Sequence, residues 1–121
     1  MKTGSAKAKG RRLQQWVCQK LSDITGIAWG EDELIQSRGM GQNGADVMLM
    51  GEAKELIRFD IEIKNQEKWA LPAYIEQAKA NTKEGRNWLL VLSKNRFKPI
   101  VVVDADVFFE LFQKTLDKSK K

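Results

Sequence analysis

The chain has 121 residues, 42% of them hydrophobic, and its 21 Lys and Arg against 16 Asp and Glu give a net charge of +5. That length suits one domain, 1–121, with a single core. One cysteine, Cys18, excludes a disulfide framework and a cysteine-rich zinc site, and the lack of histidine removes the usual transition-metal ligand and the Ser-His-Asp arrangement. Carboxylate, lysine and hydroxyl chemistry remain.

No apolar run is long enough to span a bilayer, and residues 1–7 lack the apolar stretch of a signal peptide, so a soluble, cytoplasmic protein without membrane partners is expected. Charge is unevenly spread. Residues 1–20 carry Lys2, Lys7, Lys9, Arg11, Arg12 and Lys20 and no acid, whereas Asp23 to Glu67 holds ten of the 16 acidic residues. Basic ends around an acidic centre suit a protein that attracts a polyanion and holds a cation in its middle, with basic tails kept for solubility as the alternative.

Residues 1–8 are small and basic without periodicity and read as a disordered arm that can track phosphates. From Lys9 to Ile24, the recurrence of Leu13, Trp16, Val17, Leu21 and Ile24 predicts a helix with one apolar stripe, closed near Gly26, and with Arg12, Gln15 and Gln19 on its other side. The triplet Glu31-Asp32-Glu33 reads as a solvated face or a helix first turn; it is also the rival set of metal ligands. Ser37 to Gly44, with three glycines in eight residues, reads as a flexible link whose backbone can approach another surface closely. No Gly-x-x-x-x-Gly-Lys-Ser/Thr pattern supports a P-loop.

Gly44 to Met50 and Asp60 to Gln66 have strand character. In the second, Asp60, Glu62 and Lys64 alternate with β-branched residues and so share one face. The short segment between them allows an antiparallel pair, one register of which sets Asp46 opposite Lys64 and Met48 opposite Glu62. Two carboxylates so placed resist ionisation unless a hard divalent cation lies between them. Mg²⁺ or Mn²⁺ held by Asp46, Glu62 and the Ile63 carbonyl fits, with Lys64 orienting or helping to deprotonate an attacking water. The alternatives are a turn cap for Asp46 and a solvated strand face for Glu62 and Lys64.

Leu71 to Ala80, with Pro72 in its first turn, predicts a second helix ended near Gly85. Trp88 to Leu92 and Ile100 to Val103 are apolar runs expected as strands buried on both faces. The loop between them carries Lys94, Arg96 and Lys98 around Phe97, a group suited to a phosphate backbone with Phe97 stacking on or wedging beside bases; ordinary hairpin packing serves Phe97 equally well. Asp104 or Asp106 caps a last helix with Val107, Phe108, Leu111, Phe112 and Leu116 on its apolar face, and residues 118–121 read as a disordered tail. The order helix, strand, strand, helix, strand, strand, helix gives an α/β domain with a mixed central sheet flanked by helices.

Gly44-Ala45-Asp46 followed by Ile61-Glu62-Ile63-Lys64, after a helix and a glycine-rich link, resembles the PD-(D/E)xK nuclease superfamily over roughly residues 9 to 112. Within it, Ser37-Arg38 and Ile61-Glu62-Ile63-Lys64-Asn65 look like the small Holliday junction resolvase-like endonucleases, archaeal resolvases and phage-encoded relatives. The resemblance implies a restriction-endonuclease-like three-layer core and a Mg²⁺- or Mn²⁺-dependent endonuclease hydrolysing phosphodiester bonds of branched DNA in recombination. It implies a homodimer too, since two symmetric cuts need two centres, with Trp29, Trp69 or the last helix at the contact. The setting it implies is the cytoplasm of a bacterial, archaeal or phage-infected cell. By the same resemblance Asp46, Glu62 and Ile63 hold the metal, Lys64 supports the nucleophile, Ser37 contributes to cleavage, and Gln77 positions water or phosphate. DNA contacts are expected from Lys9, Arg11, Arg12, Arg38, Asn43, Lys94, Arg96 and Lys98. The glutamate that many of these enzymes carry on the first helix is replaced here by Gln14 and Gln15, which puts a second metal in doubt; Gln14 reads as a solvated helix residue, with a metal-bound water as its alternative partner. Other readings are a nuclease for linear or nicked duplex DNA in phage or mobile-element processing, and a non-catalytic DNA-binding module on the same fold.

Overall fold

The computed structural model describes residues 3–39 and 44–119. The elements in chain order are α1 (Thr3–Thr25), β1 (Ile35–Ser37), β2 (Val47–Leu49), α2 (Gly51–Leu56), β3 (Phe59–Asn65), α3 (Leu71–Ala80), β4 (Asn87–Lys94), β5 (Phe97–Val102) and α4 (Ala105–Ser119). The result is α/β, with a mixed three-stranded sheet in the order β3-β4-β5 and a separate antiparallel ribbon of β1 and β2.

Alternation along β3 decides the layering. Ile61 and Ile63 point to one face and pack with Leu13, Val17 and Cys18 of α1, Ile35, Val47 and Val91. The even positions of β4, Trp88, Leu90 and Leu92, point to the other face and pack with Tyr74 and Ala78 of α3. Helices therefore lie on the two faces of the sheet. β3 and β4 run parallel in the register Glu62↔Leu90 and Ile63↔Val91, with α3 as the crossover. β4 and β5 form a hairpin turned at Arg96, whose φ is 56°.

Several expectations need correction. The segment between the two candidate strands is not a hairpin turn: it holds α2, whose Ala53 is fully buried and whose Ile57 follows one turn later. β2 accordingly pairs with β1 rather than β3, and the Asp46↔Lys64 register does not form. Residues 3–8 are helical, because Ala6, Lys7, Ala8 and Lys9 are good helix formers that extend α1 back past Lys9, and α4 likewise continues to Ser119. The buried stripe of α1 runs through Leu13, Gln14, Val17 and Cys18, which leaves Trp16 at 45% and Ile24 at 81% exposure. β5 is an edge strand rather than a doubly covered one, with Ile100 and Val101 exposed. On α4 only Val107 of the expected apolar face is buried; Phe108, Leu111, Phe112 and Leu116 are exposed. Asp104 does precede that helix, its carbonyl accepting from the Val107 and Phe108 amides, and its carboxylate also accepts a hydrogen bond from Trp88 Nε1 at 3.1 Å.

Candidate metal centre

Asp46 is fixed against the free edge of β3. Its amide donates to the Ile61 carbonyl at 2.9 Å and its Oδ2 accepts from the Ile63 amide at 2.7 Å, so its side chain occupies the place a neighbouring strand's carbonyl would take. The amide and carbonyl of one strand residue face the same side, which puts the Ile63 carbonyl on this edge too. Arg38 holds the approach: its amide donates to the Asp46 carbonyl at 2.8 Å and its Nε to the Ala45 carbonyl at 2.5 Å. Gly44 adopts φ +95°, and a Cβ there would lie 3.2 Å from the Arg38 guanidinium, so both backbone conformation and space favour glycine.

Glu62 projects from the α3 face of β3 and is 2% exposed. Its Oε1 accepts a hydrogen bond from Asn81 Nδ2 at 2.7 Å, and its carboxyl lies beside that of Asp46. Burial first, then the charge of Asp46, pushes Glu62 up to about 7. Asp46 is raised as well, by burial, while the Ile63 amide, Glu62 and the positive charges of Lys64 and Arg38 oppose the rise. Lys64 lies close enough for its charge to favour ionisation of both carboxyls, and its Nζ sits 5.4 Å from the centre of the Tyr74 ring.

The expected assisting residues fall at different distances from this pair. Ser37 does not stand free: its hydroxyl donates to Oε1 of Gln14 at 2.6 Å, and Gln14 is 4% exposed, so α1 meets the end of β1 through this hydrogen bond. Gln14 is thus a buried partner of Ser37 and not the solvated residue its type suggests. Gln77 is exposed on α3, one turn before Asn81. It is Asn81, unnoticed in the sequence because asparagine at a helix end reads as an ordinary terminus, that reaches Glu62. The acidic triplet Glu31-Asp32-Glu33 is exposed in a turn. Burial pushes the Cys18 thiol up to about 11 and leaves it protonated.

The basic residues surround the pair unevenly. Lys9 pairs with Glu67 at 3.6 Å, and its carbonyl accepts from Asn65 Nδ2 at 3.2 Å, placing this part of α1 beside the end of β3. Arg11 and Arg12 are exposed on α1, and Arg96 and Lys98 at the β4–β5 turn. Lys94 covers the rings of Trp69 and Phe97, which meet edge to face at 5.1 Å, so Phe97 packs within the hairpin while staying 37% exposed. Trp69 is held further by its indole donating to the Ser93 carbonyl at 3.2 Å, and Trp29 by donating to Gln19 at 2.8 Å. Asn43 lies outside the described residues.

Comparison with known protein families, characterised proteins and solved structures finds no match. The chemistry of the donors must carry the reading. Among the described residues no three Asp, Glu, Cys or His gather at one point. A cation here would rest on Asp46, Glu62 and the Ile63 carbonyl, completed by water or a ligand. All are hard oxygen donors, which suits Mg²⁺ or Mn²⁺. Both carboxyls are raised, and a divalent cation between them would relieve the repulsion that burial strengthens. Among the described residues no helix is long and apolar enough to cross a membrane.

Proposed function

We propose that this protein is a metal-dependent DNA endonuclease on a restriction-endonuclease-like core, and that it cuts branched DNA such as a four-way junction. The observation that carries the reading is the Asp46–Glu62 pair: two carboxyls in contact at a sheet edge, one of them fully buried, with a lysine beside both. Structural ion pairs bring opposite charges together. Two buried carboxyls that cannot readily ionise together suit a cation that would let both do so.

When bound, Mg²⁺ supplies electrostatic stabilisation of a phosphoryl group and favours ionisation of water. Asp46 and Glu62 bind the cation, the Ile63 amide fixes the Asp46 rotamer, and Asn81 fixes that of Glu62. Lys64 orients the attacking water and offsets charge developing on the scissile phosphate. The Tyr74 ring limits where its ammonium can go. Arg38, whose Nε and amide are already committed to the Ala45–Asp46 backbone, keeps its terminal nitrogens for a neighbouring phosphate oxygen. Ser37 and Gln14 brace the wall between α1 and β1 instead of meeting the reacting atoms.

Homodimer formation is part of the proposal. Phe108, Phe109, Leu111, Phe112 and Leu116 expose a long apolar surface on α4, of the kind that a second copy covers.

The test is incubation of purified protein with a four-way junction and with its linear arms, in Mg²⁺, Mn²⁺ or EDTA, beside Asp46→Ala and Lys64→Ala. Paired symmetric cuts in the junction alone, lost in EDTA and in both variants, are expected. Cutting of every substrate would keep the centre and discard branch specificity. Tight binding with no cutting by the unaltered protein would favour a non-catalytic DNA-binding module, to which the absence of a first-helix glutamate already points.

A further inference from the structure

A second feature adjoins the carboxylate pair and is not needed to explain it. A cleft of about 440 Å³ opens between β2, the last turn of α2 and the segment after α3, and Asn81, the residue bonded to Glu62, stands in its wall. Four cationic side chains line it: Arg38, Lys54, Lys83 and Arg86. Its one carboxylate is Asp60.

The charges of the cleft divide into a closed set and an open set. Arg86 is 8% exposed and wholly committed: Nε donates to Asp60 at 2.9 Å, Nη1 to the Lys54 carbonyl at 2.9 Å, and Nη2 to the Phe59 and Ile57 carbonyls. Asp60 is equally occupied, one oxygen taken by Arg86 and the other by the Lys83 amide at 2.9 Å. These two residues therefore cancel and build a rigid floor that ties α2 to β3 and to the segment after α3. Lys54 and Lys83 are held there by main-chain atoms, while their exposed side chains enter no ion pair among the described residues. With Arg38 they leave a concave surface of unbalanced positive charge.

We infer that this cleft is a phosphate-binding subsite that takes a backbone phosphate of a DNA strand flanking the one at the carboxylate pair, with Lys54 and Lys83 as its ligands. The inference rests on the nuclease reading for its substrate class but not for its binding chemistry. Lysines act as mobile point charges toward phosphate oxygens, so the contact fixes the path of the strand without reading its bases. It also sets a direction: the strand leaves the pair past Asn81 toward α2.

The experiment measures binding, not cutting. Anisotropy of a short fluorescein-labelled DNA duplex is recorded in EDTA across about 50 to 200 mM NaCl for the unaltered protein, for Lys54→Gln/Lys83→Gln, and for the charge-matched Lys68→Gln/Lys114→Gln, before α3 and on α4. Each phosphate contact contributes about 0.9 to the slope of log K against log salt, so loss of both lysines should lower the slope by roughly 1.8. The matched variant should leave it unchanged, and Lys54→Arg/Lys83→Arg should restore it. Equal slopes for the two Gln variants, whether both lowered or both unchanged, would overturn the subsite. Circular dichroism melts check that all variants fold. A protein that never cuts DNA still yields these slopes, and one that cuts without the slope change keeps its centre and loses the subsite, so the two readings fail separately.

Discussion

Replacing Glu62 by Gln should make the metal-free protein more stable above neutral pH, although it removes the most deeply buried charge of the candidate centre. The amide side chain is nearly isosteric with the carboxyl it replaces. Its carbonyl can still accept from Asn81 and its NH₂ group can donate to Asp46, so the side chain keeps its place without carrying a charge. Glu62 itself is raised from an ordinary 4.5 to about 7 by burial and by Asp46. The sign follows from that direction. A carboxyl whose folded-state value is raised favours the fold while protonated, and its support is complete below 4.5 and disappears as pH climbs through 7. A shift of this size corresponds to about 3 kcal/mol, accumulated across that window. The advantage of Glu62→Gln should therefore be small at pH 5 and reach about 3 kcal/mol by pH 8, a rise in melting temperature on the order of 10 °C. Thermal denaturation followed by circular dichroism in EDTA at both pH values gives the comparison. Mg²⁺ at about ten times its dissociation constant should return roughly 1.4 kcal/mol to the unaltered protein at pH 8 and nothing to the variant. A Glu62→Gln protein that is less stable than its parent at pH 8, or a difference that does not vary with pH, would refute the claim that the buried carboxyl is held at a cost.

The other predictions concern the frame and the assembly. Arg86→Ala should destabilise the fold by about 3 to 5 kcal/mol in urea unfolding, because it strands Asp60 beside three carbonyls that lose their donor; a loss under about 1 kcal/mol would show that the ion pair is only surface decoration. Phe109→Glu/Phe112→Glu on α4 should convert the protein from dimer to monomer in analytical ultracentrifugation with the melting temperature nearly unchanged, since both side chains are exposed within one chain. A monomeric parent, or unaltered dimerisation of the variant, would remove α4 from the assembly.

What the sequence discloses here depends on whether a residue's role is set locally. The alternation through Asp60, Glu62 and Lys64 is local, and β3 follows it: Ile61 and Ile63 enter the core while Glu62 turns to α3. α3 likewise begins at Leu71 with Pro72 in its first turn. Pairing is not local. Nothing between Met50 and Asp60 distinguishes a hairpin link from a short helix until Ala53 and Ile57 are seen as one buried face, and that one helix sends β2 to β1 and opens the β3 edge that Asp46 then occupies. Asn81 is hidden for the same reason, because its partner lies nineteen positions earlier in the chain and no periodicity links them. Gln14 shows the converse: its type alone assigns it to the solvated side of α1, whereas the end of β1 supplies the Ser37 hydroxyl that lets it be buried.

The most direct test of the account is a calorimetric titration of Mn²⁺ into the metal-free protein and into Asp46→Asn near pH 6.5, each run in two buffers of different ionisation enthalpy. Saturable binding to the unaltered protein is expected, with protons released because Glu62 is held near 7, and both binding and proton release should be lost in the variant. Binding of equal strength to Asp46→Asn, or no saturable binding to the unaltered protein, would contradict it.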